Sequence, residues 1–368
     1  MTGDALRPLS RRDPAVAGIL RAWRRHTRER TNRRTLIACS AGADSSALAL
    51  ALAADRAVRS QLVIAHIVHD QRAPAEAHAD RDAARMLAEA IGVPFVTGAA
   101  TARGKRGNTE SLLRAGRYAR LADLAREHGC AFVATAHHRG DQVESVLMAL
   151  LRGAGPRGVS GIAPRRRLAG SPGVTLIRPM LDIAAEDSRR LCMAGGWTWR
   201  EDATNADVSR LRARLRRNVM PELLASRAGA GERIAASARA AHAAQRVVSA
   251  AACALERHAE PRLDEHGTLV ALAWPVGELV SAPTAVAGEA LRRAGIRLRT
   301  GAGADRLGAR QIELALRAAR AGRRATIHWS GLDVHVFGST LEVCRAAPVH
   351  GCRAGASHGL PGVYPTRR

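Results

Sequence analysis

The run Thr35-Leu36-Ile37-Ala38-Cys39 empties into Ser40-Ala41-Gly42-Ala43-Asp44-Ser45-Ser46, and this passage constrains the chain more than any other. Small residues let backbone approach phosphate oxygens. A following helix, expected from 46 to 54, turns its N-terminal N–H groups and positive dipole end toward an anion. Strand, loop and helix in that order predict a phosphate cradle. No Gly-Lys-Ser/Thr closes the loop, and the only lysine of the chain, Lys105, is far downstream, so the common lysine-bearing phosphate loop is excluded.

Strand and helix patterns alternate from residue 35 onward. Apolar runs at 36–39, 62–68, 95–97, 131–134 and 174–177 are separated by helix-length segments, among them 75–90, 109–128 and 141–151. This predicts an α/β fold, a Rossmann-like parallel sheet with helices on both faces and ligands beyond the carboxyl ends of the strands. Unusual residues fall on that rim: His66-Ile67-Val68-His69-Asp70-Gln71-Arg72, Gly104-Lys105-Arg106-Gly107-Asn108, and His137-His138-Arg139-Gly140-Asp141. Four domain segments are expected: a basic helical N-terminal extension at 1–32 with Trp23 packed on the adjoining domain, a catalytic domain at 33–215, a mainly helical C-terminal region at 216–345 ending in β-like runs, and a loose tail at 346–368. Residues 153–167, rich in Gly and Pro before Arg165-Arg166-Arg167, read as a flexible basic loop.

Charge narrows the partners. Lys plus Arg number 57 against 33 Asp plus Glu, a formal net charge of +24. Such a field attracts polyanions, nucleic acid above all. A genome rich in Arg codons accounts for part of the arginine, but not for the shortage of acids. The six cysteines have no C-x-x-C spacing, so zinc, dithiol and iron–sulfur sites are not suggested and buried reduced thiols are expected. His66, His69, His137 and His138 do not form a convincing metal cluster either, because adjacent histidines rarely chelate one ion together. No apolar run is long enough to span a bilayer and no signal core opens the chain, so a cytoplasmic protein is expected.

Residues 40–45 resemble the Ser-Gly-Gly-x-Asp-Ser loop of the PP-loop ATP pyrophosphatases. Ala41 stands at the first glycine position, where positive φ would cost roughly 1 kcal/mol and where its methyl is expected beside the phosphates. At Ala134-Thr135-Ala136-His137-His138-Arg139-Gly140-Asp141-Gln142-Val143-Glu144-Ser145 the resemblance narrows to the tRNA(Ile)-lysidine synthetase family, whose pattern continues in Arg152-Gly153-Ala154-Gly155-Pro156-Arg157-Gly158. Further matches keep the family order: Asn108-x-Glu110 with Arg117 and Tyr118, Arg178-Pro179-Met180-Leu181, and Trp199-Arg200-Glu201-Asp202-Ala203-Thr204-Asn205. Together they cover roughly residues 35–223.

The resemblance implies ATP-dependent joining of L-lysine to carbon 2 of the wobble cytidine of CAU-anticodon isoleucine tRNA, through an adenylated cytidine. It implies ATP at Ser40, Ala41, Gly42, Ala43, Asp44 and Ser45, with Asp44 organising Mg²⁺. It further implies Arg117 on phosphate or on the lysine carboxylate, and His137 on nucleotide or positioning a carboxylate. Asp141 and Glu144, three apart at a helix start and hence on one face, are expected to bind the lysine ammonium groups and help deprotonate the amine; as a plain alternative they complement the helix dipole. Arg210, Arg212, Arg214, Arg216 and Arg217 are read as tRNA backbone contacts, although the family's Tyr-x-Arg-Asn pattern is not kept there. Two rival readings are a cytidine thiolase and a tRNA-binding protein with a decayed phosphate loop. The oligomeric state stays open, a homodimer being one option.

Overall fold

Both faces of strand β1, Thr35–Ala38, are packed, so after Thr35 its residues Leu36, Ile37 and Ala38 run apolar without alternation. Leu36 joins Val63, Tyr118, Leu121 and Val133 in one core cluster, and Ile37 joins Ile19, Trp23, Leu48 and Leu87 in another on the opposite face. A computed structural model describes residues 6–69, 74–100, 109–168, 171–201, 211–298, 309–329 and 331–346. The expected sites at Asp70–Arg72 apart from the strand end, at 104–108, at 202–207 and at Arg210, and the tail from 347, lie outside the described residues.

The chain divides into two compact units, residues 1–245 and 246–368. In the first, β1 lies between β2 (Leu62–His69) and β4 (Phe132–Ala134); β3 (Phe95–Ala100), β5 (Arg165–Arg167) and β6 (Thr175–Ile177) complete a sheet of order β3-β2-β1-β4-β6-β5. All neighbours pair in parallel except β5, which runs antiparallel to β6. The chain builds outward from β1 to β3, then returns to the other side of β1. The crevice between the carboxyl ends of β1 and β4 is therefore the switch point where such sheets take ligands. Among the helices that accompany the sheet are α1 (Pro14–Thr27), α2 (Ala43–Ala53), α3 (Pro74–Ile91), α4 (Thr109–Glu127), α5 (Arg139–Leu151) and α6 (Ala185–Ala194).

Helix α1 begins where Asp13 accepts hydrogen bonds from the Ala15 and Val16 N–H groups with Pro14 in the first turn. It buries Val16, Ile19, Leu20 and Trp23, so the basic N-terminal segment is part of the core of the first unit. The segment 153–167 departs from the flexible loop expected of it. Gly155-Pro156 starts a short helix, Pro156–Val159, and Arg165–Arg167 pairs with β6 as an edge strand. Pairing to a neighbour overrides the charge run there, and three arginines on an edge discourage a further strand from adding.

Buried His26 and half-buried His137 make the first unit acid-sensitive. Burial, reinforced by Arg25 and Arg165, pushes His26 down from 6.5 to about 4, with Asp182 opposing. Burial and the charges of Arg178, Arg114 and Arg117 push His137 down to about 3, with Asp141 opposing. Each depressed pKa leaves the folded form unprotonated while the unfolded chain gains a proton below 6.5. Stability is thus complete above that pH and is lost as pH falls toward 4, by up to about 1.4 kcal/mol per pH unit for each histidine. Urea midpoints measured at about pH 7.5 and about pH 5 should fall accordingly, and His26→Leu should flatten the difference.

The second unit is built on an antiparallel sheet of order β7-β8-β11-β10-β9, comprising Glu260–Leu263, Leu269–Pro275, Thr340–Arg345, Leu332–Phe337 and Ala325–His328. Helices Thr284–Leu298 and Ala309–Arg320 pack on it around Trp274, Leu291, Leu316, Trp329 and Val334. The β-like runs at its end are the expected ones, while β7 and β8 extend the sheet beyond what the sequence pattern suggests. No helix among the described residues is long and apolar enough to cross a membrane.

Candidate functional site

The turn after β1 is held by its own serine. Ser45 Oγ accepts from the Ser40 N–H at 3.1 Å and donates to the Gly42 carbonyl at 3.1 Å. Helix α2 then starts at Ala43 with Gly42 as an extended N-cap and no side chain capping it, which leaves the first N–H groups of the helix for an anion. Ser40 is exposed, Gly42, Ala43 and Asp44 are half-buried, and Ser45 is buried. Of the six residues expected around the phosphates, Ser45 braces the turn from within.

Ala41 has φ +64°, the only positive value at a non-glycine among the described residues. Ala41 is, however, only 2% exposed and belongs to the core cluster that holds Leu48 and Ile64, so packing offsets the strain of its backbone. Its carbonyl accepts from the Arg200 N–H at 3.0 Å, and Arg200 pairs with buried Asp80 at 2.6 Å. Ala41→Gly relieves about 1–2 kcal/mol of left-handed strain but forfeits roughly 0.8 kcal/mol of burial and about as much in chain entropy. Its urea-unfolding free energy is expected within about 1 kcal/mol of the natural protein.

The loop after β4 supplies the opposite wall. His138 caps α5: its Nδ1 accepts from the Asp141 N–H at 3.4 Å while Asp141 Oδ2 accepts from the His138 N–H at 3.0 Å. This reciprocal cap aims the other ring nitrogen across the crevice. His138 Nε2 lies 3.7 Å from Asp44 Oδ2 and 3.7 Å from Asp141 Oδ2. The phosphate turn and the paired acids thus share one crevice, with His138 between them. His137, the histidine singled out from the sequence, instead bonds Thr135 Oγ1 through Nδ1 at 3.0 Å. His138 had no sequence signal separating it from its neighbour; only the cap distinguishes the two.

Asp141 and Glu144 are brought together as expected, the Glu144 side chain only 1% exposed. Burial alone would raise the Asp141 carboxyl, yet the two neighbouring histidines, the His138 N–H and Arg212 hold it below its ordinary value. Arg212 and Arg216 reach both acids from the segment 211–219. Two of the five arginines expected on the RNA face therefore pair with the acids, Arg212 half-buried and Arg216 still exposed, while Arg214 and Arg217 are exposed as well.

Arg117 belongs to a cationic group beside His137. The guanidinium groups of Arg114, Arg117 and Arg166 lie 5.5, 5.6 and 4.9 Å from the Tyr118 ring centre. Burial would raise the Tyr118 phenol, but Arg114, Arg178 and Arg117 bring it below its usual value. Arg178 is buried, donates to the Ala163 carbonyl and leaves its Nε without a partner among the described residues. So many guanidinium groups around one phenol suit an anionic ligand group.

Burial holds three thiols protonated: Cys39 is raised, Cys130 is pushed up to about 11 and Cys192 to about 12. Among the described residues no three His, Cys, Asp or Glu side chains are grouped to hold a metal.

The PP-loop domain family matches residues 18–223. The tRNA(Ile)-lysidine synthase of Methylobacterium nodulans is 35% identical over 322 residues, covering 85% of this chain and 90% of that protein. That of Salinispora tropica is 36% identical over 344 residues, covering 91% and 95%. Among solved structures, the U34-tRNA thiolase NcsA from Methanococcus maripaludis aligns with a TM-score of 0.49 and 17% identity over 62% of this chain and 79% of that one. The phosphate turn on β1, the acid-bearing helix after β4 and the two near full-length relatives place this chain in the PP-loop family and, within it, among the tRNA(Ile)-lysidine synthases.

Proposed function

We propose that this protein uses ATP to join L-lysine to carbon 2 of the wobble cytidine of CAU-anticodon isoleucine tRNA, releasing AMP and pyrophosphate. The observation that carries this reading is the single crevice in which Asp44 of the phosphate turn and the Asp141–Glu144 pair meet across His138. Cytosine's carbonyl oxygen is a poor leaving group. Attack of that oxygen on the α-phosphorus of ATP expels pyrophosphate and makes it a good one; attack of the lysine ε-amine at carbon 2 then expels AMP.

The chain's own groups fit both steps. The uncapped N-terminus of α2 stabilises phosphate charge, and Arg117 with Arg114 and Arg178 offers a second anion-binding wall for pyrophosphate or the lysine carboxylate. Asp141 and Glu144 hold the lysine ammonium groups, and a carboxylate beside the attacking amine accepts its proton. A lone carboxylate suits Mg²⁺ that keeps most of its ligands on phosphates and water, so Asp44 would hold it there. Bound, the ion would neutralise the charge that builds on pyrophosphate as it departs. Sulfur transfer to cytidine needs a reactive thiolate, and the sequence has no C-x-x-C pair to carry sulfur, while Cys39, Cys130 and Cys192 are buried, which favours lysine instead.

The test is incubation with ATP, Mg²⁺, radiolabelled lysine and tRNA. Lysine incorporation with one AMP released per lysine is expected; tRNA binding without AMP release would sink the proposal. Exposed Arg214 and Arg217 are proposed contacts to the tRNA backbone, and the second unit a further tRNA-binding region. Replacing either arginine by alanine should weaken tRNA binding without regard to sequence and lower the log–log salt slope by about one, read by fluorescence anisotropy across a salt series.

A further inference from the structure

The acid pair that is to receive a cationic amino acid is already covered by cations of this chain. Arg212 donates from Nε to Glu144 Oε2 at 2.7 Å and from Nη2 to Asp141 Oδ1 at 3.0 Å. Arg216 donates from Nε to Glu144 Oε1 at 2.5 Å and reaches Asp141 Oδ1 from Nη2 at 3.4 Å. Both oxygens of Glu144 carry a guanidinium and its side chain is only 1% exposed, so an ammonium group competes with the two arginines for the side of the carboxylate that they cover.

The two sides of these ion pairs differ in what they lose on separation. The side chains of Arg212 and Arg216 are 39% and 49% exposed, that of Glu144 only 1%. The arginines can move to water or to another anion at small cost, whereas a bare buried carboxylate is strongly disfavoured unless a new cation replaces them. An exchange of one cation for another is the path of lower energy.

The backbone under Arg216 is suited to such a movement. Leu215–Val219 forms a π-helical turn between α-helical Leu211–Arg214 and Met220–Ala225. Such a turn carries one residue more than the α-helix prefers, and reverting it shifts the register by one residue, a rotation of about 100° for the side chains beyond it. A competing anion site is also near. Asp44 of the phosphate turn and Asp141, which Arg216 and Arg212 reach, each have a carboxylate oxygen 3.7 Å from the same His138 Nε2.

We propose that Arg212 and Arg216 stand in for the lysine ammonium group at Asp141 and Glu144, and that nucleotide phosphates bound at the 40–46 turn draw them off, so that nucleotide binds before lysine. The inference rests on the lysine site of the proposed function and adds an order of binding to it. Its chemistry is an exchange of ion pairs: the guanidinium groups pass from carboxylate to phosphate, and the uncovered carboxylates accept the ammonium. No covalent bond changes.

Calorimetric titration of lysine into the full-length protein tests this, alone and with saturating α,β-methylene-ATP and Mg²⁺. Lysine should bind the natural protein at least about tenfold tighter with the analogue present. In R212Q and R216Q its affinity without nucleotide should rise toward that value and the effect of the analogue should shrink. Equal lysine affinity with and without the analogue in the natural protein overturns the proposal, and that measurement needs no variant to fold. Variants that bind lysine no tighter than the natural protein overturn it as well. In both cases lysine still binds and E144Q still abolishes binding, so the lysine site itself survives. Lysine binding that is absent throughout, or indifferent to E144Q, removes the site and the order together.

Discussion

Glu144→Gln is expected to lower lysine transfer to tRNA by at least about 10²-fold while leaving tRNA affinity unchanged. The substitution preserves shape and removes one charge at a position where the side chain is 1% exposed. A neutral amide cannot balance an ammonium group there, nor take a proton from it, and a positioned base of this kind contributes about 10²–10⁴ in rate. Asp141→Asn should act in the same direction while retaining the oxygen that accepts the His138 N–H, so the cap of α5 survives and the loss is one of charge. Formation of adenylated tRNA in the absence of lysine separates this from general damage. Because Asp44 and the α2 N-terminus lie on the other wall of the crevice, that first step should persist in both variants. The measurement is single-turnover transfer of labelled lysine alongside release of pyrophosphate. Full transfer in Asp141→Asn would remove both carboxylates from the amino-acid site.

The sheet itself makes much of this site legible in the sequence. A parallel strand buried on two faces has to be an unbroken apolar run, so β1, β2 and β4 announce themselves, and the residues that interrupt the pattern at their carboxyl ends become the rim of the crevice. Side-chain direction is what escapes. Two adjacent histidines look alike in a sequence, and His138 is separated from His137 only by the reciprocal cap with Asp141.

The pairing of Arg212 and Arg216 with the acids carries a weak signal in retrospect. Their i, i+4 spacing matches the i, i+3 spacing of Asp141 and Glu144, as two helical faces of opposite charge would, but a run of arginines in a chain of this composition reads first as an RNA-facing surface. In the second unit, β8 is an apolar run of strand length, whereas β7, Glu260–Leu263, is exposed along its whole length. Only pairing with β8 makes β7 a strand, and no local pattern encodes that.

Trp23→Ala is expected to destabilise the first unit by about 3–5 kcal/mol, the range for emptying a fully buried indole site, while leaving the chemistry of the crevice intact at temperatures where the protein stays folded. Trp23 is 1% exposed among Ile19, Ile37 and Leu48, and its Nε1 donates to Thr35 Oγ1 at 3.0 Å, tying α1 to the first residue of β1. Removing the indole opens a cavity and frees that end of the strand. Thr35 keeps a partner, since its hydroxyl donates to the Arg33 carbonyl at 2.7 Å, so no polar group is orphaned and the cost is one of packing. Trp23→Phe should recover most of it, leaving a deficit of about 1 kcal/mol for the lost hydrogen bond. The phosphate turn lies at the far end of β1, and that strand is held on both sides by its ladders to β2 and β4. Urea unfolding should therefore show a large fall in midpoint for Trp23→Ala, with the KM for ATP near that of the natural protein. A raised KM at unchanged stability would mean that α1 shapes the turn directly instead of supporting the sheet beneath it.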